Sequence, residues 1–347
     1  MRVRRSAATH RGWRGRLRHV EERALGATGL RVSRLGLGTM TWGRDTDEYE
    51  AQDILGTFLE AGGTLIDTAD VYTEGESESM IGRLVSDMSV RRDVILATKA
   101  VSRPGTSRRF DASRGHLLAS LEGSLRRLRT DHVDLWQLHA WDPATPMEET
   151  LAAADDAVRA GKVRYVGISN YCGWQTAAAA VWQRALPGRV AIASNQVEYS
   201  LLNRGAEREV LPAGRRLGVG VLAWSPLGRG VLTGKYRNGT PNDSRGASSS
   251  FAQFVQPYLD ERSRGIVDAV ATAATGLDAS PGEVALAWVR DRPGVVAPIV
   301  GARTAAHAKM AVASDELELP EEIESALDDV SAINLGYPDH GWNQRQA

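Results

Sequence analysis

Short apolar runs rich in β-favouring residues alternate with longer stretches of helical periodicity along most of the chain. The strand-like runs are SRLGLG at 33–38, TLID at 64–67, VILAT at 94–98 and VDLWQLH at 133–139. They continue with VRYVGIS at 163–169, AIASNQV at 191–197, VGVLAW at 219–224 and VVAPIV at 295–300. Between them lie helical patterns such as 47–62, where Ile54, Leu55, Phe58 and Leu59 share one face. Ser113 and Thr304 are predicted N-caps, and Gly62 and Gly161 predicted helix stops.

Eight strands, each followed by a helix, make the βα repeat of a parallel sheet. Runs apolar throughout suit strands buried on both faces. The predicted fold class is therefore α/β, a single (β/α)8 TIM barrel. An open doubly wound sheet competes, but it normally carries a glycine-rich dinucleotide turn after its first strand. Here GLGTMTWG at 36–43 places glycine first, third and eighth, which misses G-x-G-x-x-G. Two short β-type stretches flank Gly26–Gly29 before the first strand, and a hairpin there would plug the barrel's lower end. The long low-periodicity segment 226–262 follows the seventh strand, on the face where barrel active sites form, and reads as a lid.

Composition narrows the class. The 347 residues are 42% hydrophobic and 24% charged, enough for a large core, with a formal charge of −1. Residues 1–20 hold seven arginines and no acid, so the remaining 21–347 carry −8. Such a body repels nucleic acid and anionic membrane. The basic stretch 1–20 has no apolar core of a secretory signal and is expected to be a disordered extension, with Val20 a candidate alternative start. Residues 21–347 are read as one barrel domain. No apolar run is long enough for a membrane span. The single cysteine, Cys172, fits a reducing cytoplasm and excludes a cysteine-rich metal site.

In a barrel, polar residues at the C-terminal ends of strands converge on one pocket. In order these are Asp67, Lys99, His139, Ser169 with Asn170, Gln196 with Glu198, Trp224 with Ser225, and Gly301 to Arg303, while Tyr72 lies in the loop after Asp67. A phenol is a weak acid near neutrality, but a neighbouring ammonium stabilises its anion and is expected to lower its pKa. Asp67 would hold that ammonium, and an imidazole would orient the oxygen that receives the proton. The rest of the acidic stretch, Glu74, Glu76 and Glu78, reads as a polar loop entering the next helix rather than a metal site. It lacks the D-x-[DN]-x-[DN]-G calcium pattern, and the seven histidines show neither H-x₃-H nor H-E-x-x-H spacing.

With its surrounding words, this arrangement resembles the aldo-keto reductase superfamily, in the branch that includes bacterial reductases and potassium-channel β subunits. The words are IDTADVY (66–72), ATK (97–99), LHAWD (138–142), GKVRYVGISNY (161–171), NQVEYSLLNR (195–204), AWSPLGRGVLTGKY (223–236) and PIVGART (298–304). The resemblance implies a barrel that binds NADP(H) without a Rossmann domain and reduces a small-molecule carbonyl to an alcohol. It implies Tyr72 as general acid, Lys99 as its partner, Asp67 as the lysine's partner and His139 as the group that positions the carbonyl. Ser169, Asn170 and Gln196 match positions that hydrogen-bond the nicotinamide carboxamide, and Trp224 matches the aromatic that stacks on the ring. Ser225, Leu227, Gly228, Gly230 and Lys235 match the pyrophosphate clamp, and Gly301 belongs to the adenosine-phosphate segment. Arg303 favours a 2′-phosphate and hence NADP(H). His307 and Ala311 depart from the glutamine and asparagine usual there, which predicts weaker or more pH-sensitive cofactor binding.

Met40, Trp42, Trp141, the 226–262 loop and Trp342 are the candidate substrate-pocket residues. A cofactor-bound regulatory subunit and a dedicated ketosugar or secondary-metabolite reductase are the alternative readings.

Overall fold

The computed structural model describes residues 20–241, 244–248, 252–334 and 336. The predicted extension 1–20, apart from Val20, and Trp342 lie outside them. An antiparallel hairpin opens the fold, β1 (Glu22–Ala24) pairing with β2 (Arg31–Ser33). Eight strands then close a barrel: β3 (Gly36–Gly38), β4 (Leu65–Asp67), β5 (Ile95–Ala100), β6 (Val133–Leu138), β7 (Val163–Ser169), β8 (Ile192–Glu198), β9 (Gly220–Trp224) and β10 (Val295–Gly301). Each pairs in parallel with its neighbours, and β10 returns to β3.

The first outer helix, α1 (Glu48–Glu60), forms where the periodicity placed it. Asp47 caps it, its carboxylate accepting the Glu50 N–H at 2.9 Å. It buries Ile54, Leu55 and Phe58 and ends before Gly62, whose φ is 84°. It is followed by α2 (Glu76–Asp87), α3 (Arg114–Arg127), α4 (Met147–Arg159), α5 (Gly173–Ala185) and α6 (Val210–Leu217). The remaining helices are α7 (Ala252–Val255), α8 (Glu261–Gly276), α9 (Pro281–Arg290), α10 (Ala305–Ala313) and α11 (Glu321–Ser331). Thr304 caps α10 by accepting the His307 N–H. Ser113 stands at the N-cap of α3 without capping it; its hydroxyl donates to Asp111 at 2.6 Å.

Two apolar layers join helices to barrel, and a third core fills the barrel's lower interior. In that third core Leu25, Leu30 and Val32 of the hairpin meet Leu65, Leu135 and Leu222 of the strands. The hairpin therefore plugs the lower end, as its sequence predicted. The cluster of Asp67, Lys99, Gln137 and Gln196 occupies the other end. Among the described residues, no helix is long and apolar enough to cross a membrane.

Candidate active site

Strand register brings the polar residues into one cluster. Asp67 ends β4, and Lys99 lies in β5 opposite Gln137 of β6. Ser169 ends β7 opposite Gln196 of β8. Lys99 is fully buried, yet its ammonium has three oxygens to meet: Asp67 Oδ2 at 2.6 Å, the Thr68 carbonyl at 2.8 Å and the Tyr72 hydroxyl at 3.3 Å. Asp67 accepts two further hydrogen bonds on Oδ1, from Gln137 at 3.0 Å and Gln196 at 2.8 Å. A buried ion pair holds only when its remaining lone pairs are met in this way.

Burial alone would lower the Lys99 pKa, but Asp67 and Tyr72 together outweigh it and the net direction is up. For Tyr72 the balance differs from the sequence expectation. Burial pushes the phenol up and Lys99 pulls it down, and burial prevails. The phenol is thus held in its protonated form, with a cation beside it ready for the charge that remains when the proton leaves. The His139 ring meets the Tyr72 ring edge-on, centroids 5.9 Å apart. Burial and then Lys99 push the His139 pKa down to about 3, so the imidazole is neutral at physiological pH.

These groups open into a cavity of about 310 Å³. Its floor carries Asp67, Tyr72, His139, Ser169, Asn170 and Gln196. Trp224, Ser225, Leu227, Gly230 and Lys235 form one side, and Gly301, Arg303 and His307 the far end. Asn170, at φ 59°, ties the floor to the side. Its amide donates to the His139 carbonyl at 2.9 Å and accepts the Trp224 indole N–H at 3.0 Å, which sets the plane of that ring. Ser169 donates to the Gln196 carbonyl at 2.8 Å. Gly230 has φ 93°, and a Cβ there would stand 3.2 Å from the Lys235 ammonium. Bare backbone beside a cation is a cradle suited to phosphate.

Several predicted residues lie elsewhere. Gly228 is buried beneath the wall rather than on it. Met40 reaches the cavity, but Trp42 does not: it is 0% exposed in the layer between barrel and helices. Trp141 also misses the cavity and packs edge-on against Tyr171 and Trp174, both at 5.3 Å. Ala311 is buried and Glu78, expected on a polar loop, is fully buried. Glu78 accepts the Thr98 hydroxyl at 2.6 Å and pairs with Arg127 at 2.7 Å. Both it and Glu76 stand in the first turn of α2.

Three groups were missed. Gln137 is invisible as a site residue because an apolar strand surrounds it; only the strand's alternation and its neighbour Lys99 point to it. Arg229 and Phe254 come from the 226–262 loop. The Phe254 ring lies parallel to Trp224, centroids 6.4 Å apart, and the Arg229 guanidinium sits 3.8 Å over Phe254. Arg229 also grips Glu198 at 2.9 and 2.8 Å, and Tyr258 donates to the same carboxylate at 2.9 Å. This latch fastens the loop to the end of β8. Among the described residues, no three His, Cys, Asp or Glu side chains gather as a metal site would require.

The chain matches the profile of the Aldo/keto reductase family over residues 34–332. It is 40% identical to the "Uncharacterized oxidoreductase YrpG" of Bacillus subtilis (strain 168), over 90% of this chain and 96% of the relative. It is 36% identical to a "Probable voltage-gated potassium channel subunit beta" of Oryza sativa subsp. japonica, covering 82% and 87% of the two chains. It is 34% identical to "Protein tas" of Escherichia coli (strain K12), over 89% and 96%. With the barrel, the buried lysine–aspartate pair and the cavity above them, these matches identify the chain as an oxidoreductase of the aldo/keto reductase family.

Proposed function

We propose that the chain is a cytoplasmic NADP(H)-dependent reductase of small aldehydes or ketones, with Tyr72 as the general acid. The observation that carries this reading is the line Asp67–Lys99–Tyr72 ending at a cavity shared with His139. When bound, a reduced nicotinamide supplies the hydride. Tyr72 gives its proton to the carbonyl oxygen, and the Lys99 ammonium stabilises the phenolate left behind. Asp67 keeps that ammonium in place and charged. His139, neutral and fixed by its burial, orients the oxygen through a hydrogen bond without adding a competing charge.

Ser169, Asn170 and Gln196 are assigned to the carboxamide and Trp224 to the face of the ring. Ser225, Leu227, Gly230 and Lys235 would hold the pyrophosphate, with Arg303 and His307 at the adenosine end. Arg303 supports NADP(H), because a guanidinium suits a 2′-phosphate. The wall formed by Met40, Phe254 and Ile299 favours an apolar substrate.

Tyr72→Phe is expected to lower kcat for carbonyl reduction by about 10²- to 10⁴-fold. Its NADPH dissociation constant is expected to stay within about threefold of wild type, since the hydroxyl serves chemistry rather than cofactor binding. Ordinary turnover by that variant would remove Tyr72 from the mechanism. The relatives named as channel β subunits support a second reading, a cofactor-bound regulatory subunit. NADPH binding with no turnover across a panel of aldehydes and ketones would favour it.

A further inference from the structure

An acid stands against the start of α10, the helix whose entry lines the far end of the cleft. Glu50, in the first turn of α1, accepts the backbone N–H of Ala305, the first residue of α10, on Oε1. The two helices pack together at this point. Thr46, just before α1, donates its hydroxyl to the Arg303 carbonyl at 3.5 Å. Two residues further on, the His307 N–H is shared between the Thr304 carbonyl at 3.0 Å and hydroxyl at 3.3 Å. Side chains of the same helix and its entry, Arg303, His307 and Met310, line the cavity. The other acids at the start of α1 are otherwise engaged. Asp47 caps α1, and Glu48 accepts from Arg83 at 3.0 Å.

A helix N-terminus with an arginine beside it ordinarily welcomes phosphate. Here a carboxylate already stands on its first N–H. We infer that Glu50 sets how strongly this chain discriminates between the 2′-phosphorylated and unphosphorylated dinucleotides, and that it holds the discrimination down. The inference rests on the nicotinamide-cofactor reading above. A 2′-phosphate must approach a like charge and share the Ala305 N–H with it. A 2′-hydroxyl meets no such conflict and can donate to a carboxylate oxygen. Arg303 pulls toward the phosphate and Glu50 pushes against it. Wild-type protein should therefore prefer NADP(H) only modestly and accept NAD(H) as well.

The test is equilibrium binding, read as quenching of tryptophan fluorescence or by calorimetry, at pH 8, above the usual imidazole range. NADP⁺ and NAD⁺ are titrated into wild type, Glu50→Gln and Glu50→Ala, with 2′,5′-ADP and 5′-ADP as fragment probes. Glu50→Gln retains an oxygen for the Ala305 N–H, so the helix start keeps its acceptor while the charge is lost. Both variants are expected to tighten NADP⁺ and 2′,5′-ADP by about tenfold, the scale of one screened charge at short range. NAD⁺ and 5′-ADP are expected to move less than about threefold. A ratio of the NAD⁺ and NADP⁺ dissociation constants that stays within about twofold of wild type in both variants would overturn the inference. Failure of wild type to bind either dinucleotide would instead overturn the cofactor reading beneath it.

Discussion

Asp67 and Asp70 stand three residues apart, and their hydrogen-bond surroundings differ. Asp67 has an ammonium and two amide donors around it. Asp70 has lost water without gaining equal compensation: its Oδ1 is buried with no hydrogen-bond partner. Burial, then the nearby Glu78, push its carboxyl up to about 7, against the pull of Arg127. The consequence for stability has a definite sign. A carboxyl whose folded pKa exceeds its unfolded value favours folding fully only below the unfolded value, and that stability drains away as pH rises toward the folded one. For Asp70 the window runs from the ordinary aspartate range to about pH 7. Asp70→Asn should therefore match wild type near pH 4 and exceed its unfolding free energy by about 4 kcal/mol at pH 8. Urea denaturation at the two pH values measures this. An equal offset at both would show that Asp70 ionisation is not the cause. Neither the Asp70 environment nor the burial of Glu78 was legible in sequence, because both arise where α2 and α3 close over the strand ends.

At the scale of elements, the loop after β9 has the most to reveal. Its position and length marked it as a lid, but the pieces that fasten it are far apart in the chain. Arg229 joins Glu198 of β8 to Phe254 of α7 and lies 4.9 Å from the Tyr258 ring. A bidentate carboxylate grip with an aromatic partner is a strong arrangement for a loop, since the planar guanidinium is already shaped for both. Arg229→Ala should free the loop and speed NADPH release by about tenfold, equivalent to about 1.4 kcal/mol. Stopped-flow displacement of bound NADPH measures this, and an unchanged rate would mean that the latch does not govern release. The tryptophans illustrate the opposite limit of sequence reading. Trp42 and Trp141 follow barrel strands in loops while Trp224 ends β9, and of the three only Trp224 faces the cavity. Loop conformation decides which way an aromatic turns, and a loop has no periodicity from which to read it.

The whole molecule depends on closing both ends of the barrel with different chemistry. At the lower end the hairpin packs so closely that a Cβ on Gly26, whose φ is 59°, would stand 2.5 Å from the carbonyls of Ala193 and Gly218. Gly26→Ala is thus expected to cost about 3 kcal/mol or more, through strain and a backbone clash together. Chemical denaturation tests this, and a loss under about 1 kcal/mol would show that the plug can shift to make room. At the upper end, the order of the strands around the barrel follows their order in the chain, so neighbouring strand ends meet without long crossovers. That regularity made much of the protein readable. The sequence by itself determined the eight buried strands, the helices between them and the placing of Asp67, Lys99 and His139 on one rim, because strand and helix periods are local properties. Tertiary structure alone decided the rest. It set the direction of the Tyr72 pKa, which depends on how much water burial removes. It brought Gln137 to Asp67 and Arg229 to Glu198. It also placed Glu50 on the first N–H of α10, a contact between residues 255 positions apart that no local pattern records.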